Sequence, residues 1–260
     1  MAFKKEEIMY YNTHTHLNAK ELYPTRDTYI AHAHEAGVTR MTVVGYDVSS
    51  SRLAVMIAHE YEGIVATVGI SPNDCEETTD EDLAIIKELA KDPKVVAIGE
   101  IGLDYHYDVP KDKQRDVFAK QMAFAQEYHL PIVIHCRDAY EECFQMLESS
   151  SLKGIMHCYS GSDQMALRFI KLGFYISLAG PVTFKNAKMP KLVAQNVPLD
   201  RLLIETDDPY MAPVPLRGTT NEPANCVYIA QKIAELKGIS VEDVASTTYH
   251  NALDIFGLKE

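Results

Sequence analysis

The chain has 260 residues, 47% hydrophobic and 24% charged, and a formal net charge of −12 from 25 basic and 37 acidic residues. That length suits one α/β domain spanning residues 1–260, close to the roughly 250 residues of an eight-stranded barrel. No segment reaches the roughly 18 apolar residues of a membrane span, and an acidic surface confines any nucleic-acid contact to local sites where metal or basic groups invert the field.

Apolar, β-branched runs mark the predicted strands in chain order. Ile8 to Tyr11 leads into Asn12-Thr13-His14-Thr15-His16. Met41 to Val44 follows, then an amphipathic stretch over Ser51–Tyr61, a strand at Ile64 to Val68 and a helix over Asp80–Ala90. Val95 to Ile98 ends on Gly99-Glu100-Ile101-Gly102 and precedes a helix over Lys113–Tyr128. Ile132 to Ile134 ends on His135, with a helix over Ala139–Leu147 behind it. Ile155 to Met156 ends on His157, followed by a helix over Gln164–Leu172. Phe174 to Leu178 and Leu202 to Ile204 complete eight strands, and helical pattern resumes over Glu222–Leu236 and Val241–Phe256. Such alternation means βαβ units, and continuously apolar strands mean a parallel sheet covered by helices. An open doubly wound sheet is the rival to a closed (β/α)8 barrel. The barrel is preferred, because no glycine-rich dinucleotide fingerprint follows strand one and chemical residues follow several strands instead of one switch point.

Those chemical residues define the candidate site. His14, His16, Glu100, His135, His157 and Asp207 each close or follow an apolar run, so a barrel gathers them at the rim where catalytic groups sit. His14 and His16, two apart on extended chain, share a side and can share an ion. Glu100, between glycines, can bridge two cations. Glu205, Asp207 and Asp208 compete for the role of ligand and general base after the last strand; position at the strand exit favours Asp207. Cys136 and Cys158 follow two of the histidines and are read as packing residues. The five cysteines (Cys75, Cys136, Cys143, Cys158, Cys226) hold no C-x-x-C pair, and residues 1–7 are charged with no apolar signal core behind them, so a reduced cytoplasmic protein is expected. His106, in the loop after strand four, is a candidate substrate contact.

These segments resemble the TatD family of metal-dependent deoxyribonucleases and related hydrolases, within the amidohydrolase-like metal barrels. The likeness rests on Thr13-His14-Thr15-His16-Leu17, Ile98 to Tyr105, Pro131 to Asp138, His157 to Gly161, Pro181 to Ala187, Glu205 to Pro209, and Arg217-Gly218 with Asn221-Glu222-Pro223. The resemblance implies two divalent cations, one held by His14, His16 and Asp207, the other by His135 and His157, with Glu100 bridging them and Asp207 taking the proton from the attacking water. Mixed imidazole and carboxylate ligands suit Zn, Mn, Ni or Mg without choosing among them. The implied reaction is hydrolysis of phosphodiester bonds, as a 3′-to-5′ deoxyribonuclease on single-stranded DNA. The alternative is cleavage of another ester or amide, such as a small phosphoester or an aminoacyl-tRNA ester, on the same site.

Three positions depart from the family pattern. Ser71 stands in Gly69-Ile70-Ser71-Pro72 where a histidine is usual, Asn18 replaces an aspartate, and Thr219-Thr220 replaces a basic pair. Each removes a charged or titratable group from the phosphate-gripping region. Ser71, Arg137, Lys185 and Arg217 remain candidate substrate contacts, and the oligomeric state is open, a monomer included.

Overall fold

A computed structural model describes residues 8–260; the charged start, residues 1–7, lies outside them. All eight predicted strands form, pairing in parallel and in chain order. They are β1 (Tyr10–Thr15), β2 (Val38–Val44), β3 (Ile64–Val68), β4 (Val95–Asp104), β5 (Ile132–Arg137), β6 (Gly154–Met156), β7 (Tyr175–Leu178) and β8 (Leu202–Ile204). The helices are α1 (Arg26–Glu35), α2 (Val48–Glu60), α3 (Asp80–Leu89), α4 (Lys111–Tyr128), α5 (Tyr140–Glu148), α6 (Asp163–Lys171), α7 (Lys188–Asn196), α8 (Cys226–Lys237) and α9 (Val241–Phe256). Among the described residues, no helix is long and apolar enough to cross a membrane.

Bonds between β1 and the chain at and beyond β8 draw the ring together. The Asn12 amide donates to Thr206 Oγ1 at 2.6 Å and accepts from the Thr206 N–H at 3.0 Å, while Thr13 Oγ1 donates to the Ile204 carbonyl at 3.1 Å. Further up, the Asp207 N–H donates to the His14 carbonyl at 3.0 Å and the His16 N–H to the Asp208 carbonyl at 3.1 Å. The β1–β8 seam therefore runs directly beneath the predicted ligands.

The interior is stacked in layers, as expected of a filled barrel. Tyr11, Val65, Ala97, Val133, Ile155, Tyr175 and Leu203 form an apolar cluster, stoppered at the N-terminal end of the strands by Tyr249, Leu253 and Phe256 of α9. Above it lie buried hydroxyls, with Thr13 and Ser177 meeting at 3.3 Å between β1 and β7. The intervening strand residues, such as Met41, Ile64, Ile98, Ile134, Met156 and Ile204, pack outward against the helices.

On β5, and on β6 with its continuation, the alternation carries Val133 to His135 and Ile155 to His157 in steps of two. Tyr11 to His14 and Ala97 to Glu100 are odd steps, which would face the wrong way on a regular strand. The register is irregular at those two places, between Asn12 and Thr15 in β1 and between Ile98 and Ile101 in β4. Such bulges re-aim side chains beside functional sites. Gly102 makes room, because at φ +140° a Cβ there would collide with the His135 carbonyl.

Several predicted strands differ in extent from their apolar runs, β2 starting at Val38 and β5 running on to Arg137. β1 extends through polar but buried Thr15, and β4 continues past its glycines to Asp104. His14, Glu100 and His135 consequently lie within strands, whereas His16, His157 and Asp207 follow them. α8 starts at Cys226 because Pro223–Asn225 forms a separate tight turn. α1 and α7 were not among the predicted helices: α1 buries only Ile30 and Ala33, and α7 buries Pro190, in its first turn, with Val193 and Ala194.

Candidate metal centre

Six side chains from β1, β4, β5 and the segments after β1, β6 and β8 converge over the hydroxyl layer. Glu100 stands between two groups of them. Its Oε2 faces His14 Nε2 at 3.6 Å and His16 Nε2 at 3.8 Å. Asp207 Oδ1 closes that side, 3.7 Å from His14 Nε2 and 3.4 Å from His16 Nε2. The other oxygen, Oε1, lies 2.9 Å from His135 Nδ1 and 3.2 Å from His157 Nε2. Ligand atoms of three overlapping triads, each drawn from these residues, fall within 4.8 Å of one another.

The outward ring nitrogens are already engaged, which sets the tautomers. His16 Nδ1 donates to the Val44 carbonyl at 3.1 Å, His135 Nε2 to Asp104 Oδ2 at 2.8 Å, and His157 Nδ1 to Glu205 Oε1 at 3.2 Å. Their inward nitrogens then present lone pairs to the centre, as metal-bound histidines do. His14 Nδ1 is buried with no partner.

Without a cation, protons must take its place. Burial would lower the His135 pKa, but Asp104 and Glu100 outweigh it and push it up to about 9. His157 is likewise raised against burial by Glu100 and Glu205. Burial would raise Glu100, yet His157, His135 and His14 hold it well below the usual carboxylate range. Asp207 is lowered despite burial by His16, His157 and His14. Four imidazoles and two carboxylates packed this tightly out of water need positive charge between them, and the donor set fits divalent cations.

Of the three competing acids after β8, Asp207 is the one that faces the inward nitrogens of His14 and His16. Glu205 orients His157 and accepts from the Cys158 N–H at 2.6 Å. Asp208 is fully buried and takes hydroxyl bonds from Thr15, at 2.7 Å, and from Thr206; burial raises its pKa to about 6. Cys136 and Cys158 stand outside the ligand triads, Cys158 Sγ packing 3.9 Å from Met211 Sδ. The supporting roles of Asp104, Glu205 and Asn18, whose amide donates to the Val44 and Ser50 carbonyls at 2.9 Å, were not read from the sequence. Asp104 and Glu205 do lie in the motifs quoted above, which was the available signal.

Two cavities open on the centre. A wide one of about 750 Å³ is lined by Tyr46, Ser71, Asp74, Asp104, Tyr107, Arg137 and Tyr210 beside the ligands, and a narrower one of about 300 Å³ lies on the far side of His135 and His157. Ser71 and Arg137 thus reach the cavity. Ser71 donates to Asp74 at 2.5 Å, and the Arg137 guanidinium lies 5.6 Å from the Tyr107 ring centroid. His106, Lys185 and Arg217 line neither cavity. His106 is half-exposed and faces Asp138 at 3.6 Å, and Arg217 stacks over Phe184 at 4.3 Å.

A family model described as TatD related DNase matches residues 11–257. The uncharacterized metal-dependent hydrolase YabD of Bacillus subtilis is 48% identical over 252 residues, covering 95% of this chain and 99% of that protein. A Shigella flexneri protein named 3′-5′ ssDNA/RNA exonuclease TatD is 32% identical, covering 93% of this chain and 96% of its own length. The crystal structure of YJJV, a TatD homolog from Escherichia coli, superposes with a TM-score of 0.91 at 27% identity over 96% of this chain and 98% of that one. An end-to-end family match on a barrel with this rim places the chain in the TatD-related DNase family, among the metal-dependent hydrolases.

Proposed function

We propose that the protein is a phosphodiesterase using two divalent cations, a 3′-to-5′ deoxyribonuclease on single-stranded DNA. The observation that carries this reading is the division of labour at Glu100: one oxygen faces His14, His16 and the Asp207 side, the other faces His135 and His157. Those groups would hold one cation each, with Glu100 between them. Divalent ions bound there supply Lewis acidity toward a phosphoryl oxygen and a water. Asp207, ionised and at the cavity wall, accepts the proton of the attacking water. Arg137, the one Lys or Arg among the lining residues of either cavity, binds a phosphoryl oxygen. Asp104 and Glu205 hold His135 and His157 in the correct tautomer.

A second reading keeps the centre and changes the bond. Asp74 and Asp104 line the wide cavity together with a single arginine, a balance that suits the ammonium group of an aminoacyl ester. Protein loaded in turn with Zn, Mn, Ni and Mg and assayed on single-stranded DNA, bis(p-nitrophenyl) phosphate and an aminoacyl ester separates the two. Turnover of the ester alone would sink the nuclease reading. Asp207→Asn is expected to lower kcat for the phosphodiester by about 10²- to 10⁴-fold with the melting temperature little changed. Near-normal turnover in that variant would remove Asp207 from the mechanism.

A further inference from the structure

The two cavities share His135, Arg137, His157, Asp207 and Met211, so the ligand cluster sits at a junction between spaces of different character. The wide side is polar. The narrow side is walled by Leu178 at the end of β7, by Ala179, Pro181 and Val182 from the loop after it, by Pro190 of α7, and by Cys158 and Met211. At about 300 Å³ it stands at the foot of the roughly 300–1,000 Å³ range of ligand cavities, enough for one ring system and too little for a length of chain.

Its wall is firm. Gly180 and the Met211 carbonyl approach so closely that a Cβ on Gly180 would collide with that oxygen, which fixes the loop after β7 against the loop after β8. Away from the shared residues, polar groups of this wall are engaged with one another or with neighbouring backbone. The Leu178, Ala179 and Pro181 carbonyls accept from the N–H groups of Glu205, Val182 and Phe184 at 3.2, 3.1 and 3.0 Å. The Tyr159 hydroxyl donates to the Ser162 carbonyl at 2.9 Å, and the Ser160 hydroxyl pairs with Tyr140 at 2.9 Å. An occupant therefore meets apolar surface and sulfur, with Arg137 at the mouth for an adjoining phosphate.

We infer that this chamber is a subsite for the terminal nucleobase of the strand, gripping its ring faces and ignoring its hydrogen-bonding edges. A ring seated there places its own sugar-phosphate at the junction, over the ligand cluster, while the remaining strand lies in the wide cleft. The inference rests on the phosphodiesterase reading and adds to it which part of the substrate occupies which space. Recognition by ring faces alone accepts any of the four bases yet requires that a base be present.

The test uses metal-loaded protein and single-stranded oligonucleotides that differ only in the 3′-terminal unit: each of the four bases, or an abasic residue. The expected result is a fall in kcat/KM of about tenfold or more for the abasic end, through KM, against differences of a few-fold among the bases. Ala179→Leu and Val182→Phe, which narrow the chamber, should reduce the ratio of kcat/KM between base-bearing and abasic ends toward one. Equal kcat/KM for abasic and base-bearing ends in the unaltered protein overturns the subsite, whatever the variants do. If bis(p-nitrophenyl) phosphate is hydrolysed in that case, the phosphodiesterase reading survives alone; if neither substrate is hydrolysed, both fall.

Discussion

His135 is gripped from two sides, by Asp104 at 2.8 Å and Glu100 at 2.9 Å. Only the first contact fixes which nitrogen faces inward. Asp104→Asn is therefore expected to weaken divalent-metal affinity by about 10- to 100-fold, measured by competition with a chromogenic chelator, while the circular dichroism spectrum stays unchanged. Affinity equal to that of the parent would make Asp104 a bystander. The six gathered residues were legible because His and acidic groups at the ends of apolar runs have few packing roles. The orienting roles of Asp104 and Glu205 were not, because in sequence a carboxylate that orients a neighbour looks no different from one that binds metal. Among the proposed substrate contacts, Ser71 and Arg137 reach the cavity. Lys185 and Arg217 do not: they sit on separate loops, after β7 and after β8, and Arg217 stacks over Phe184.

At the scale of elements, the strands and the helices α2 to α6, α8 and α9 followed from alternation, since a run of Val and Ile between amphipathic stretches has few other fates. The bulges in β1 and β4 were hidden. A step of three residues toward the interior looks no different in a one-dimensional pattern from a step of two, and only pairing with neighbouring strands reveals it. Some helices start on side-chain caps. Thr79 and Asp82 bond reciprocally at the start of α3, Asp82 accepting from the Thr79 N–H at 2.9 Å and hydroxyl at 2.7 Å. Thr79→Ala should destabilise the protein by about 1 kcal/mol in urea melts. Hydrogen bonds from Thr79 lower the Asp82 pKa in the folded state. Its contribution is thus fully present above the unfolded carboxyl value of about 3.9 and is lost as pH falls through the lower folded value. The gap between the parent and Thr79→Ala melts should narrow in that acid range; a constant gap there would assign the whole effect to the bond from the Asp82 N–H to Thr79 Oγ1, which does not titrate.

For the whole molecule, a net charge of −12 with one arginine among the cavity-lining residues leaves little general attraction for a polyanion. The logarithm of KM for single-stranded DNA should rise with the logarithm of salt concentration with a slope of about 1 or less, as for one or two neutralised phosphates. A slope of several units would require a basic track beyond the two cavities. Metal should contribute more to stability than DNA does. Saturation at about 100 times Kd adds about 2.7 kcal/mol, so chelation should lower the melting temperature by roughly 5–10 °C, read by calorimetry. An unmoved transition would show the cluster to be stable on protons alone. The seam between β1 and β8 has one more consequence. The Asp207 N–H bonds to the His14 carbonyl, so the earliest and latest parts of the ring meet within the chemistry itself. A chain emerging from the ribosome has made its four candidate histidine ligands and Glu100 well before Asp207 appears, so on the proposed mechanism it stays catalytically silent until synthesis has nearly finished.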